Sequence, residues 1–309
     1  MGDGDMPSGP LSPAGVNFSD PDQAADFLGD LLNDDQLKVI GNAYARYFWY
    51  GAAVAIGIAS IFHWTRYLTL QMRLRAAARQ QVQPARPRNI VLQSFATVTA
   101  MAREATYLQF TPTHKLLWFK VPPVGTIMLL AVYLAFVLAL EFINDSVPGA
   151  QFWQARGVRA GWLAVAQMPL LILLVGKNNL ITLTTGVSYE RLNVLHRWSA
   201  RIMLLLAIFH FGFQSRAWSQ YGLMRLEWTT DDCPPTGIAA FAILLWMNLS
   251  TLAPFRYWSY EFFVIQHIIT FFGFIIAVMY HLPSTALWSR IYIYIPIALY
   301  LLDLSLIHI

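Results

Sequence analysis

Charge is scarce in this chain: only 12% of its 309 residues are Asp, Glu, Lys or Arg, where soluble domains carry about a quarter. With 57% apolar residues and a mean hydropathy of +0.47, it has too little polar surface for a water-soluble fold and reads as an all-α, polytopic membrane bundle. Cysteine is all but missing. The single thiol, Cys233, excludes an internal disulfide framework, a cysteine-based zinc site and cysteine-ligated iron–sulfur clusters, so a redox cofactor must be held by other donors. A Gly-rich dinucleotide fingerprint following a strand is also lacking. The basic excess is small, 21 Lys and Arg against 17 acids, and says little until the charges are placed along the chain; the expected partner is the lipid bilayer, with no nucleic acid. Residues 1–42 have neither a basic start nor an unbroken apolar run, which excludes a conventional cleaved signal peptide and leaves targeting to the first apolar helix.

What is present is a succession of apolar runs. Residues 1–42, with eight acids and one Lys among many Gly and Pro, read as a solvated, disordered tail. About seven segments near spanning length follow, at 44–65, 123–142, 161–175, 196–213, 238–252, 262–281 and 291–302. The expected organisation is a first transmembrane helix at 43–66, a basic cytoplasmic segment at 67–122 and a six-span unit at 123–303. An external N-terminus puts thirteen Lys and Arg on the cytoplasmic side and six outside, as the cytoplasmic retention of basic residues requires. It also puts two glycosylation sequons, at Asn17 and Asn144, on the external face.

Four of the seven histidines repeat one spacing: His196 and His210 are fourteen residues apart, and so are His267 and His281. Fourteen steps of about 100° return a helical side chain to within about 40° of its starting direction, about 21 Å further along the axis. Each helix thus points two imidazoles one way. One intervening span makes the two helices parallel, so His196 is level with His267 and His210 with His281. An isolated histidine at a helix end is usually interfacial, but polar groups within spans are costly and tend to be functional. Imidazole ligates haem iron, and helix bundles build cofactor sites between facing helices. Two bis-histidine, b-type haems passing electrons across the bilayer suit the arrangement; a haem-free transporter with a histidine proton relay is the competing class. His63 and His114 lack a partner at this spacing and read as membrane-boundary residues.

The run Gly176-Lys177-Asn178-Asn179, followed by Gly186-Val187-Ser188-Tyr189-Glu190-Arg191-Leu192-Asn193-Val194-Leu195-His196-Arg197-Trp198 and continuing to His210, resembles the fungal ferric reductases of the ferric reductase and NADPH oxidase superfamily. His267 and His281 keep that family's spacing, and Arg256 and Glu261 stand where its members carry polar residues. The resemblance covers roughly residues 40–303. It implies electrons passing from cytosolic NADPH through FAD and two haems to extracellular ferric chelates, and to cupric ions, at the plasma membrane. His196 and His267 would ligate the inner haem, His210 and His281 the outer. The family's flavin and nicotinamide domain has no counterpart here, so the chain is expected to be a truncated product that does not oxidise NADPH alone. Residues 304–309, including His308, resemble the translation of a library transposon end and read as non-native. An oxidase making superoxide is the nearest enzymatic alternative. By the same resemblance, that branch lacks the additional N-terminal span and spaces its second histidine pair one residue closer.

Arg197, Arg201 and Lys177 are candidate partners for anionic propionates at the inner haem, although basic residues at span ends also set topology. Trp198, Phe209, Phe211, Phe213, Phe271, Phe272 and Phe274 flank the ligands and suit either porphyrin or ordinary helix packing. Gln167 and Asn248 are amides within spans, able to bond between helices. Glu227, Asp231 and Asp232 adjoin Cys233 on the external side. They could draw ferric or cupric cations to the outer haem, but a solvated loop explains them more simply.

Overall fold

The computed structural model describes residues 11–79, 89–110, 121–144, 147, 149–282 and 288–307, and among these residues the only regular structure is helical. The tail expected to be disordered carries a helix, α1 (Pro21–Leu32). Asp20 caps it by accepting from the Asp22 amide, and Pro21 stands at the first helical position with its φ already set. Phe27 and Leu31, one turn apart, are buried with Ala150 and Leu223. The Gln151 side-chain amide donates to the carbonyls of Asp30, Leu31 and Asn33, satisfying the end of α1. The polar composition of the segment conceals two apolar residues on one helical face.

Helix α2 (Asp35–Ala78) follows almost at once. Its 44 residues extend about 66 Å, more than twice the hydrocarbon thickness, so it overruns the span expected at 44–65 on both sides. After α3 (Ile90–Tyr107), which buries no residue, α4 (Val124–Phe142) ends in a cap the sequence reading missed. Arg159 is one of the six basic residues that the topology expectation counts on the external side. It is only 5% exposed, and its guanidinium donates to the carbonyls of Glu141, Ile143 and Asn144 while stacking on Tyr44.

The segment expected to span at 161–175 is broken into α5 (Phe152–Ala166) and α6 (Met168–Leu173). Pro169 has no amide hydrogen to continue the α5 ladder, so the helix restarts around it. Gln167, at the break, is fully buried; it accepts from the Tyr133 hydroxyl at 2.5 Å and donates to the Leu163 carbonyl at 3.1 Å. Such a cross-helix bond is typically worth about 0.6 kcal/mol in a membrane. Asn248, the other amide expected to bridge helices, donates to the Leu244 carbonyl of its own helix. The small faces of α5 admit close neighbours: a Cβ on Gly41 of α2 would collide with the Trp162 ring. The Trp49 indole donates to the Ala166 carbonyl freed at the end of α5.

Beyond the break, α7 (Leu180–Thr185) is capped by Asn179 and closed by Gly186 at φ +67°, a left-handed position that suits glycine. Then come α8 (Tyr189–Ser219), α9 (Met224–Thr230), α10 (Cys233–Ser250), α11 (Ala253–Trp258), α12 (Tyr260–His281) and α13 (Ile291–Ile307). Asp303 of α13 accepts from the Lys177 and Asn178 amides, tying α13 to the turn before α7. Among the described residues, five helical stretches are long and apolar enough to cross a membrane: the one containing α2, then α4, α8, α10 and α12. The other two expected spans are the broken α5–α6 and the 17-residue α13. His114, His308 and the Asp145 and Ser146 of the second sequon lie outside the described residues.

Replacing Phe27 with Ala removes the main apolar anchor of α1, a loss of about 3 kcal/mol for a buried aromatic. Limited proteolysis should then cut within residues 21–32 at an increased rate while the helices from α4 onward stay protected.

Candidate functional site

The two histidine-bearing helices, α8 and α12, both pack against α10 rather than closely on each other. Their imidazoles reach into the space left between them. His210 and His281 face one another with ring centroids 5.8 Å apart and planes at 74°. At the other end His196 lies within electrostatic reach of His267. The four side chains therefore form two pairs at two depths, with α8 and α12 running the same way.

Backbone carbonyls orient three of the four rings. His196 Nδ1 is 2.9 Å from the Leu171 carbonyl, His210 Nδ1 is 2.7 Å from that of Gly157, and His281 Nδ1 is 2.9 Å from that of Cys233. A carbonyl oxygen has no proton to give, so each Nδ1 must be the donor, and in a neutral imidazole the lone pair is then on Nε2. This is the arrangement that prepares a histidine to bind a metal through Nε2. His267 is different: its Nδ1 is buried with no hydrogen-bond partner among the described residues.

Glycine makes room for the rings at the first of these depths. A Cβ on Gly161 of α5 would sit 2.9 Å from His210 Nδ1, and one on Gly237 of α10 would sit 2.7 Å from His281 Cε1. Any larger residue at either place would push an imidazole. The pair opens into a cavity of about 640 Å³, within the usual range for a ligand pocket. Phe211, Phe241 and Phe274 line it. Among the described residues, no three His, Cys, Asp or Glu side chains converge. Each pair thus offers two nitrogen donors and leaves the remaining coordination positions of a metal to some other group.

The His196–His267 end is cationic. Arg197, Arg201 and Arg256 lie close enough to interact with one another, and none makes an ion pair among the described residues. Arg201 donates to the Arg197 carbonyl and stacks on Trp198, while Arg256 Nε is buried with no partner among the described residues. Lys177 contributes its backbone amide to Asp303. Gln266, beside His267, accepts from the Trp246 indole and donates to Ser250, joining α12 to α10. Phe209, Phe213, Phe271 and Phe272 pack on other aromatic side chains. His63 stands apart from both pairs, its ring against the Gly186 turn, where a Cβ would overlap it.

The sequence singled out the four histidines with Arg197 and Arg201; it did not point to Gly161 and Gly237, the carbonyl acceptors or Gln266, and it marked Arg256 only by resemblance. The one local signal was glycine inside an apolar run at 161 and at the head of another at 237. Contacts between residues 157 and 210, or 233 and 281, leave no periodic trace in the chain.

Residues 160–278 match the family described as "Ferric reductase like transmembrane component". Among curated relatives, the chain is 28% identical over 191 residues to the probable cell surface ferric reductase kap2 of Aspergillus oryzae, covering 59% of this chain and 25% of that protein. It is 29% identical over 205 residues to ferric/cupric reductase transmembrane component 7 of Saccharomyces cerevisiae, covering 64% and 33% respectively. It is 30% identical over 184 residues to component 2 of the same yeast, covering 58% and 25%. The chain thus spans about a quarter to a third of the length of these relatives. No solved structure gives a significant match.

Substituting Gly161 by Val should drive the His210 ring off the Gly157 carbonyl. Spectra of protein labelled with nitrogen isotope at histidine should lose the hydrogen-bonded Nδ1–H resonance assigned to His210 and keep that of His196.

Proposed function

We propose that this chain, whose residues 160–278 match the ferric reductase like transmembrane family, is the membrane electron-transfer part of a metalloreductase, holding one b-type haem between His196 and His267 and another between His210 and His281. The donor set is the observation that carries the reading. Among the described residues each pair supplies two imidazoles and no third side-chain ligand, which suits a porphyrin bringing its own four nitrogens. Two metal–nitrogen bonds of about 2 Å, with half a ring on either side, call for ring centres roughly 6 Å apart; His210 and His281 stand at 5.8 Å.

A bound haem would supply a reversible one-electron iron couple. The chain does the rest. The Leu171, Gly157 and Cys233 carbonyls hold Nε2 of His196, His210 and His281 as the free donor. Gly161 and Gly237 keep the space beside the outer rings open. Arg197, Arg201 and Arg256 provide three cations at the inner end, suited to anionic propionates, and the orphaned Arg256 Nε is a donor in want of such an acceptor. With two histidines given to each haem, His196, His210, His267 and His281 would hold the groups and keep substrate off the metal, so the haems would supply electron transfer rather than substrate binding. Pairs about 21 Å apart along α8 and α12 form a route between the membrane faces. In this reading a haem held by His196 and His267 would take electrons from cytosolic NADPH and FAD, and one held by His210 and His281 would serve the acceptor outside the plasma membrane.

The test is spectroscopic. Purified chain should carry two haems, reducible and low-spin, and His210→Ala or His281→Ala should each halve the haem content, while His63→Ala leaves both haems in place. A protein that binds no haem would remove the electron-transfer reading and favour a proton relay. Superoxide formation without ferric or cupric reduction in the complete enzyme would make it an oxidase.

A further inference from the structure

Helix α3 carries an apolar stripe that the described residues leave uncovered. Val91, Phe95, Val98, Ala102 and Ala105 follow one another at the three- and four-residue steps that align side chains along one side of a helix. Val91, Phe95 and Val98 are 74%, 58% and 63% exposed, and no residue of α3 is buried. Gln93, Thr97 and Glu104 fall on the opposite side, so a helix about 27 Å long is sorted into an oily face and a polar one.

Its last turn is fixed where α4 begins. The Val124 amide, the first of α4, donates to the Leu108 carbonyl at 2.8 Å, and a Cβ on Gly125 would press on Thr106. The far end of α4 meets Arg159, two residues from the Gly157 carbonyl that holds His210. Val124 and α3 therefore belong to the opposite face, that of His196 and His267. Arg191, five residues before His196, lies over the Tyr107 ring at 5.5 Å and donates to its hydroxyl at 3.4 Å. Cations gather at this place. The hydrogen bond and charge of Arg191, then the charges of Arg103 and Arg66, hold the Tyr107 hydroxyl below the usual tyrosine range. Arg73, Arg75 and Arg79 continue along α2 from Arg66, all exposed. Among the described residues the one ion pair in the group joins Arg103 to Glu104 at 3.6 Å.

We propose that α3 lies in the headgroup layer of the His196–His267 face, with Val91, Phe95 and Val98 among the acyl chains and Arg66, Arg103 and Arg191 on the phosphates of anionic phospholipids. Two observations select a lipid surface as the occupant. The last turn of α3 joins the start of a membrane-crossing helix, which brings the stripe to the boundary of the bilayer. The surrounding guanidiniums complement a surface of negative charge, and an amphipathic helix beside such cations is suited to lie along that surface. Through Tyr107 and Arg191 the anchor is joined to α8 just before His196.

The test is spin labelling of the purified chain in vesicles, reading collisions of the nitroxide with oxygen, which concentrates in lipid, and with a nickel chelate, which stays in water. Val98→Cys on the stripe is compared with Gln93→Cys on the polar side, and the unaltered chain supplies the background from Cys233. Both substituted positions are exposed, so the labels have room without disturbing the packing. In phosphatidylcholine vesicles containing phosphatidylserine, oxygen should reach the Val98 label more readily than nickel does, and the Gln93 label should show the reverse. The Arg66→Gln, Arg103→Gln double variant should move the Val98 label toward water, lowering its buried-to-released ratio about fivefold for each charge removed. Equal access of nickel to the two positions overturns the proposal and leaves the stripe to a protein partner. A Val98 label buried to the same extent in pure phosphatidylcholine and in the double variant also overturns it, because the anionic headgroups would then contribute nothing. If inorganic phosphate added to pure phosphatidylcholine vesicles reproduces the effect of phosphatidylserine, the arginines bind free phosphate and the lipid assignment fails.

Discussion

A carbonyl oxygen can only accept a hydrogen bond, and that one-sidedness settles the proton position on three buried imidazoles. Much of the architecture around α8 and α12 serves to bring acceptors to those rings. The Leu171 carbonyl lies in the last turn of α6, where a helix has no further amide to offer it, and His196 takes it up. Because α6 stops at Leu173, that carbonyl is not spent within the helix. The Gly157 carbonyl comes from the enclosed helix α5, and the Cys233 carbonyl from the first turn of α10. Cys233 also donates its thiol to the His281 carbonyl at 3.1 Å, so the ends of α10 and α12 hold each other in both directions.

The fold was legible where its cause is local. Helical spans follow from apolar runs, and the repeat of fourteen residues follows from the pitch of a helix, so both the all-α class and the facing of the histidines could be read directly. What was not legible depends on residues far apart in the chain. Nothing near residue 161 announces that a ring from residue 210 will press against it, and nothing near Arg256 announces Arg197 and Arg201. The break in α5–α6 lay in plain view at Pro169, yet apolar composition on both sides made one span look continuous. The α1 helix was hidden for the opposite reason, since the many polar residues around Phe27 and Leu31 dominate any average.

Counting basic residues to orient the chain treats each Lys and Arg as a solvated charge. Arg159 shows how that approximation fails: three carbonyls at the end of α4 and the face of Tyr44 give a guanidinium enough partners to be buried. Such a residue reports on the helix it terminates rather than on the water beyond it. The arginines near His196 and His267 are the reverse case. They crowd together without ion-pair partners among the described residues, a placement that folding alone does not favour.

Helix α2 is one uninterrupted rod of about 66 Å, and it is pinned at three heights. Gly41 abuts Trp162, the Trp49 indole holds the end of α5, and His63 lies on the turn after α7. A stiff lever of that length, tilted by only about 5°, would swing its far end by about 6 Å. Because the pins forbid independent motion along its course, Asp34 at the top and the Gly186 turn near the bottom belong to a single mechanical body. The stretch around Asp34 and the turn after α7 are therefore joined by one continuous helix rather than by a chain of separate elements.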